Sequence, residues 1–341
     1  MSGCPFNSVP SQRQSSLPDR DKYKHTTLMV TPVLSGPCTT RMEPNRPYFS
    51  GSYRIRFGNI RTYHRIKRRG KSMAENSGIG WTDHTQNFWW GCHKVSAECT
   101  HCYIDGIMRR AGKVPFAGPM RTVNWSNPHR WERQAQEQGR RFRIFTCSMS
   151  DFFHPGADGW RDAAWEVIRQ CPSLDWLILT KRPELIADRL PADWGNGYPN
   201  VWLGVTCGIA TSLHRLDILK KIPAVLRWVS AEPLLGPIDF RPYLDGSFQW
   251  IISGCEQAGV GKRRELDLEW VRDIDRQCRN AGVAHFFKQR YQAGRIVHDG
   301  LLDGEVRQAW PQSAASVVPS GTRELAARQG KSHGTLLVSD D

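Results

Sequence analysis

Short apolar segments alternate with amphipathic helical segments along most of this chain, and this alternation constrains its fold more than any other feature. The apolar segments are partly β-branched or aromatic, which is typical of strands that are covered on both faces. The seven candidate strands are residues 88–90, 141–147, 174–179, 201–205, 225–229, 250–252 and 284–287. Strands that alternate with helices predict a parallel α/β fold.

Helical periodicity separates these candidate strands. Apolar residues between 160 and 171 recur at the spacing of one helix face, and the last of them is Cys171. Leu268, Val271, Ile274 and Cys278 form a similar stripe, and Gly282 after it is a typical helix stop. We therefore expect Cys171 and Cys278 to be core residues. Seven strands favour a partial or full parallel (β/α) barrel of the TIM type.

Three cysteines follow the first candidate strand. Six residues separate Cys92 from Cys99, and two separate Cys99 from Cys102. Thiolates are soft anionic ligands that suit iron–sulfur clusters and zinc, and three ligands leave the open position that a catalytic centre requires. Two alternatives remain, namely a closed zinc (Zn²⁺) site that uses His93 or His101 as fourth ligand, and buried cysteines without a metal.

The other candidate strands also end in polar residues. In a parallel barrel these ends share one mouth, where active sites lie. The endings are Cys147-Ser148-Met149-Ser150-Asp151, Thr180-Lys181-Arg182, Thr206-Cys207, Ser230-Ala231-Glu232, Ser253-Gly254-Cys255-Glu256 and Lys288-Gln289-Arg290. So many polar endings predict a shared cleft.

Charged residues in these endings suggest roles in the cleft. A cationic group made of Lys181, Arg182, Lys288 and Arg290 is suited to an anion such as a phosphate or a carboxylate. Glu232 and Glu256 are suited to an amine, a ribose hydroxyl or a proton in transfer. The alternatives are solvated loop cations, and a turn role for Glu232 beside Pro233 or for Asp151. Cys147 and Cys255 are equally well explained as small apolar fillers.

The chain carries 47 Lys and Arg, 33 Asp and Glu and a formal net charge of +14, but the excess charge is uneven. Residues 1–72 hold 14 basic and 3 acidic residues, and they show no strand or helix period. We expect a basic disordered extension over 1–72, which also fits a true start at Met73, then an α/β domain over 73–312 and a disordered tail over 313–341. No secretory segment or membrane-spanning run is present, so we expect a cytoplasmic protein with ten reduced cysteines.

Several nucleotide and hydrolase motifs are absent from the sequence. There is no G-x-x-x-x-G-K-[ST] loop and no well-placed G-x-G-x-x-G, which excludes P-loop and Rossmann sites of the usual kind. Neither a His-Glu-x-x-His zinc helix nor a nucleophile elbow occurs. Tryptophans crowd the cysteine region, and they are suited either to stacking on bases or to shielding a metal site and filling the core. They are Trp81, Trp89, Trp90, Trp125 and Trp131.

These motifs resemble a family of phage and bacterial proteins of unknown function whose hallmark is the same three-cysteine motif. The resemblance runs from about residue 77 to about residue 311. It rests on residues 79–83, 91–103, 147–154, 179–183, 200–206, 230–238 and 286–289. The family is in turn distantly similar to radical S-adenosylmethionine (SAM) enzymes, which place three cysteines after the first strand of a partial or full α/β barrel.

The resemblance implies an enzyme with a 4Fe-4S cluster on Cys92, Cys99 and Cys102, with SAM as cofactor and with an external electron donor. Two features depart from the usual pattern: six residues rather than three separate the first two cysteines, and relatives carry a Gly-Gly-Glu-Ser-like run where this chain has Ser253-Gly254-Cys255-Glu256-Gln257. Lys181, Lys288, Glu232 and Glu256 are expected to line the substrate cleft. Ser148, Asp151, Thr180 and Thr206 are expected to contact the cofactor.

The substrate class that the phage context favours is a nucleic acid or a nucleotide. Two other hypotheses stay open from the sequence. One is a zinc-stapled nucleic-acid-binding or accessory protein without radical chemistry. The other is a zinc-dependent hydrolase or nuclease whose open zinc position holds a water.

Overall fold

A computed structural model describes residues 77–258 and 261–312 of the chain, so the predictions for 1–72 and 313–341 lie outside the described residues. The described part contains five α-helices and twelve strands. The helices are α1 Ile104–Arg110, α2 Asn127–Gln138, α3 Asp158–Arg169, α4 His214–Lys220 and α5 Leu268–Ala281. The strands are β1 His84–Gln86, β2 Trp89–Trp90, β3 Met120–Arg121, β4 Phe142–Thr146, β5 Leu174–Thr180, β6 Val201–Thr206, β7 Leu226–Ala231, β8 Trp250–Gly254, β9 Ala284–Gln292, β10 Arg295–Val297, β11 Leu301–Leu302 and β12 Glu305–Val306.

Eight of these strands form one sheet in the order β1-β4-β5-β6-β7-β8-β9-β10. Each neighbouring pair from β1 to β9 is parallel, and β10 pairs antiparallel with β9. Because strands with the same order in the chain and in space are joined by right-handed crossovers, the sheet curls into a half-barrel. The order ends at β1 and β10, so the barrel is open, and the prediction of a partial parallel barrel is confirmed.

Alternating side chains on the strands form two cores. The outward set, which includes Ile144, Trp176, Leu203 and Val229, packs beneath the helices. The inward set contains Trp202, Trp228, Trp250 and Phe286 together with Trp81, which precedes the first strand. The indole of Trp81 lies 4.7 Å from the Phe145 ring, 5.4 Å from that of Trp228 and 5.9 Å from that of Trp250, measured between centroids. This aromatic floor fills the amino-terminal half of the barrel interior.

Gly204 on β6 makes room for the floor. A side chain at this position would overlap the indole ring of Trp228 on the neighbouring strand β7. Residues toward the carboxyl ends, such as Thr206 and Ser230, are much smaller than the tryptophans below them. The barrel interior is therefore filled at the amino-terminal ends of the strands and hollow at their carboxyl ends.

The helices begin and end largely where their sequence signals indicate. The Asp267 carboxylate caps α5 by accepting from the backbone N–H of Glu269, and Gly282 ends it with a φ of 66°. Cys171 and Cys278 are fully buried, as predicted, although α3 ends before Cys171. No helix among the described residues is long and apolar enough to cross a bilayer.

The prediction for the first strand was wrong. The sheet begins with His84–Gln86, whereas Trp89–Trp90 pairs antiparallel with Met120–Arg121 in a separate ribbon. The first strand has no apolar signature because polar side chains fill it and are satisfied inside the protein. His84 stacks on Trp131 with ring centroids 4.5 Å apart, and the amide of Gln86 donates to the Asn124 carbonyl at 3.1 Å.

Candidate active site

A cavity of about 310 Å³ lies at the carboxyl ends of the parallel strands. Eleven of the residues that the sequence nominated for the metal, cofactor and substrate sites contribute to its lining. They are Cys92, Cys99, Cys102, Ser148, Asp151, Thr180, Lys181, Thr206, Glu232, Glu256 and Lys288. The shared cleft that was expected from the polar strand ends is therefore present, while the individual roles remain predictions.

The cysteine loop, residues 91–103, connects the short strand β2 to helix α1. Gly91 adopts a φ of 95°, and a side chain there would overlap the carbonyl oxygen of Gly118. The Gly91 N–H donates to the Met149 carbonyl at 2.9 Å, which holds the start of the loop against the end of β4. Cys99 ends a single 3-10 turn, and Cys102 comes two residues before α1.

A buried ion pair fixes the middle of the loop. The Glu98 carboxylate lies 3.1 Å from Nη1 of Arg215 on α4, and it also accepts from the Gly208 N–H at 3.1 Å. Arg215 in turn donates to the Thr206 carbonyl at 2.8 Å. Burial acts to raise the pKa of Glu98, but the Arg215 charge and the hydrogen bonds hold it below its ordinary value. This ion pair was not predicted from the sequence, where its only signal is the acidic residue beside Cys99.

A second tie runs through Asp151 and Arg182. The Arg182 guanidinium donates to Asp151 at 3.0 Å and to the His93 carbonyl at 2.9 Å, and it lies 3.7 Å from the Cys92 sulfur. Asp151 also accepts from the Thr180 hydroxyl at 2.7 Å and from the Lys181 N–H at 2.9 Å. Asp151 and Thr180 thus use these groups within the protein, which suits positioning more than direct contact with a cofactor.

A third tie involves Glu256 and His101. The buried Glu256 carboxylate lies 3.1 Å from Nδ1 of His101, and it accepts from the Arg264 backbone N–H at 2.9 Å and from its guanidinium. Burial acts to raise the pKa of Glu256, but the hydrogen bonds from Arg264 and His101 lower it overall. Glu256 is therefore an anionic anchor for the cysteine loop.

Other polar groups in the cavity have fewer partners. Lys288 donates to Glu232 at 2.5 Å, and the Gln289 amide donates to the same carboxylate oxygen at 3.1 Å. The Lys181 ammonium has no hydrogen bond or ion pair within the part of the chain that the structure describes. The Thr206 hydroxyl is fully buried and likewise has no partner there. Lys181 Nζ and the Thr206 hydroxyl therefore have hydrogen-bonding capacity that no described residue uses.

The three loop thiols differ in acidity. Burial raises the pKa of Cys92 to about 11, an effect that Arg182 opposes, and burial also raises the pKa of Cys102. For Cys99, burial acts upward, but the Lys181 charge and hydrogen bonds from the loop backbone bring the pKa below its usual value. Lys181 lowers the pKa of all three thiols, so its ammonium is the charge they share.

The side chains around the three cysteines bear on both metal hypotheses. Among residues 77–258 and 261–312, no three His, Cys, Asp or Glu side chains approach closely enough to bind a single metal ion. Nδ1 of His93 lies 2.9 Å from Nε2 of His154, and His101 contacts Glu256, so each of these rings has a partner other than the three cysteines. The zinc site and the cluster both stay predictions. Three free thiols on one cavity, with Lys181 and Arg182 beside them, fit the chemistry of an anionic thiolate-bound cluster.

Two other predictions about this region need correction or completion. Arg290 is bound to Asp299 at 2.8 Å and does not line the cavity, so it is not part of the cationic group. Trp89 and Trp131 are fully buried core residues, whereas Trp81 contributes to the cavity floor. Their large aromatic area explains why core packing outweighs exposure for most of these tryptophans.

Comparison with known families settles the relationship of the chain. A model of a protein family of unknown function, DUF5131, matches residues 76–334. The chain belongs to the DUF5131 family. No curated protein matches this DUF5131 protein. Among solved structures, a spore photoproduct lyase mutant with dinucleoside spore photoproduct is similar at a TM-score of 0.40 and 13% identity, over 67% of this chain and 72% of the other.

Proposed function

We propose that this DUF5131 protein is an iron–sulfur enzyme of the radical-SAM type. The observation that carries the proposal is that Cys92, Cys99 and Cys102 line the same cavity as the polar ends of the parallel strands. A structural metal site would be expected to use all its ligand positions within the protein, whereas three thiols facing a cavity leave room for a second ligand. The catalytic position at the carboxyl edge of a half-barrel also supports an enzyme.

In this proposal Cys92, Cys99 and Cys102 would hold a 4Fe-4S cluster and would leave a ligand position free for SAM. When bound, the cluster would supply the electron, taken from an external donor, for the reductive cleavage of SAM. Lys181 and Arg182 balance the negative charge of the thiolates. Glu98, Arg182 and Glu256 keep the loop in place through the three ties.

The remaining cavity residues act on the substrate side. Lys288 Nζ donates to Glu232 Oε1 at 2.5 Å, so this pair can deliver a proton from Lys288 Nζ to a substrate atom or hold one there. An apolar wall excludes water from the inner end of the cavity, and it is formed by Trp81, Phe145 and Leu179. Exclusion of water protects a reactive intermediate from side reactions.

The test is reductive cleavage of SAM by full-length protein that is purified and reconstituted without oxygen. With dithionite as reductant, we expect release of deoxyadenosine, which chromatography with mass detection quantifies. Cys99→Ala should abolish the release, whereas Cys207→Ala, a buried cysteine outside the cavity, should retain it. Cleavage that is equal in both variants, or absent from a protein that carries the full cluster, would refute the radical-SAM assignment.

A further inference from the structure

Two buried polar groups at the inner end of the cavity lack partners. The Thr206 hydroxyl and the indole N–H of Trp81 are both buried, and neither has a hydrogen bond within the described segments. Thr206 follows Trp202 and Gly204 at the alternating spacing of β6, so its side chain faces the barrel interior. Because unpaired buried polar groups are costly, two in one cavity indicate that a ligand completes them.

The chemistry around these groups limits the ligand. The inner wall has aromatic and aliphatic side chains from Trp81, Phe145 and Leu179, and Ser230 lies next to Thr206 across the β6–β7 register. An indole N–H only donates, so the ligand must present an acceptor to it, whereas a threonine hydroxyl can donate or accept. None of these five side chains is ionisable. The inner end therefore suits a neutral ring that carries carbonyl or ring-nitrogen acceptors.

The outer part of the cavity and its rim are positively charged, in contrast to the neutral inner end. Lys181 contributes to the wall an ammonium that has no partner among the residues that the structure describes. Ile107 and Phe116 line the cavity, and Arg110 lies one turn after Ile107 on α1, while the Lys94 ammonium lies 4.7 Å from the centre of the Phe116 ring. The rim segment, residues 93–113, has four Lys or Arg residues and two acids. Both acids are already paired, Glu98 with Arg215 and Asp105 with Arg109.

We propose that the cavity receives one base of a single-stranded nucleic acid, whose phosphates lie along the rim segment. A nucleobase supplies a neutral ring with acceptors for Trp81 and Thr206, and a sugar–phosphate backbone supplies repeated negative charge for Lys94, Arg110 and Lys113. A small aromatic carboxylate would satisfy the inner groups and Lys181 but would leave Lys94, Arg110 and Lys113 without a counter-charge among the described residues, although Lys94 donates to the Thr100 carbonyl at 2.8 Å. A single-stranded nucleic acid is thus the substrate class of the proposed enzyme. Its chemical conversion rests on the proposed radical-SAM function, whereas its binding does not.

Binding of a labelled single strand to the full-length protein tests the inference by fluorescence anisotropy. The probes are a mixed-sequence strand of about twelve nucleotides and an abasic strand of the same length. We expect the strand with bases to bind about tenfold more tightly than the abasic one. Thr206→Val and Trp81→Phe should each weaken only the strand with bases, by roughly three- to tenfold. Trp131→Phe, which removes a buried indole N–H outside the cavity, should change neither.

Charge reversal on the rim tests the phosphate contacts separately. Arg110→Glu with Lys113→Glu should weaken both strands equally and reduce the salt dependence of the affinity. The matched control is Lys220→Glu with Arg276→Glu, because these residues lie in the carboxyl-terminal halves of α4 and α5, away from the rim segment. Equal affinity for the two strands, or no effect of Thr206→Val and Trp81→Phe in folded protein, would overturn the inference.

Iron and sulfide assays on the same preparations separate the two claims. Binding of bases by protein without a cluster would leave the inference standing and count against the radical-SAM function. A protein that carries the full cluster but does not prefer the strand with bases would support the radical-SAM function and count against the inference.

Discussion

Glu98 and Arg215 lie 3.1 Å apart in the protein interior, and their contact joins the cysteine loop to helix α4. Glu98 comes directly before Cys99, whereas Arg215 is more than a hundred residues further along the chain. The loop therefore does not depend only on its own short hydrogen bonds. Its position relative to the strand ends is set by a long-range ion pair.

Glu98→Gln should destabilise the protein strongly, because it leaves the Arg215 guanidinium buried without a counter-charge. Loss of one partner of a buried pair costs about 3–5 kcal/mol. Urea unfolding at neutral pH measures the loss. The matched control is Asp105→Asn, which breaks the surface pair with Arg109 and should cost less than about 1 kcal/mol. Equal losses in the two variants would show that the buried pair does not fix the loop.

The three loop thiols should react with iodoacetamide at different rates in protein without metal. Cys99 has a lowered pKa and should be alkylated before Cys102 and Cys92, whose pKa values are raised by burial. Lys181→Met should slow the alkylation of Cys99 about three- to tenfold at mildly alkaline pH, because the thiolate loses a charge that lowers its pKa. Peptide mass spectrometry follows each site. Lys288→Met, which removes a lysine bound to Glu232, should leave the rates nearly unchanged.

His154 should make the stability depend on pH below neutrality. Burial lowers its pKa from 6.5 to about 4, and the Arg182 charge acts in the same direction. The unfolded chain therefore takes up a proton before the folded one does, so the stabilisation is complete above pH 6.5 and is lost as the pH falls toward 4. We expect a loss of about 2 kcal/mol between pH 7 and pH 5.

His154→Asn is the matched variant for this pH dependence. Asparagine retains an acceptor for the Gly156 N–H, which now donates to the His154 ring at 3.0 Å, but it does not titrate. The free energy of unfolding of the variant should fall less between pH 7 and pH 5. Parallel curves for the two proteins would assign the acid sensitivity to other groups.

Ser253, His285 and Asp275 form a hydrogen-bonded chain that looks like a hydrolase triad but should be inert. The Ser253 hydroxyl lies 2.9 Å from Nε2 of His285, and Nδ1 of that ring lies 3.1 Å from Asp275. All three are buried, and none lines the cavity, so no substrate reaches the serine. A fluorophosphonate probe should not label the folded protein, whereas His285→Leu should lower its stability by about 2–3 kcal/mol. Labelling at Ser253 would contradict this assignment.

The sequence predicted most of the sheet because its strands are buried on both faces and read as apolar runs. Six of the seven candidate strands pair in the parallel sheet, as with 174–179 in β5. The first strand escaped prediction because His84, Thr85 and Gln86 are polar and obtain their partners only in the folded protein. Short strands such as β10 were also missed, since three residues carry little periodicity.

The cavity lining was predictable because parallel strands bring their carboxyl ends together. The hydrogen-bond and ion-pair partners of each side chain could not be predicted, because they come from residues far apart in sequence. Asp151 and Glu256 were nominated as site residues from their positions, yet both are anchors of the cysteine loop. Arg290 was predicted to lie in the cavity because it follows Lys288 and Gln289 at the end of a strand. Its guanidinium instead forms an ion pair with Asp299, which lies after β10.

Iron and sulfide analysis of full-length protein purified without oxygen tests the central claim most directly. We predict about four irons and four sulfides per chain, with a visible charge-transfer absorption. Both should be lost together in the triple variant Cys92→Ala, Cys99→Ala and Cys102→Ala. They should persist in Cys207→Ala with Cys255→Ala, which changes two buried cysteines outside the cavity. A colourless protein with one tightly bound zinc per chain would contradict the account.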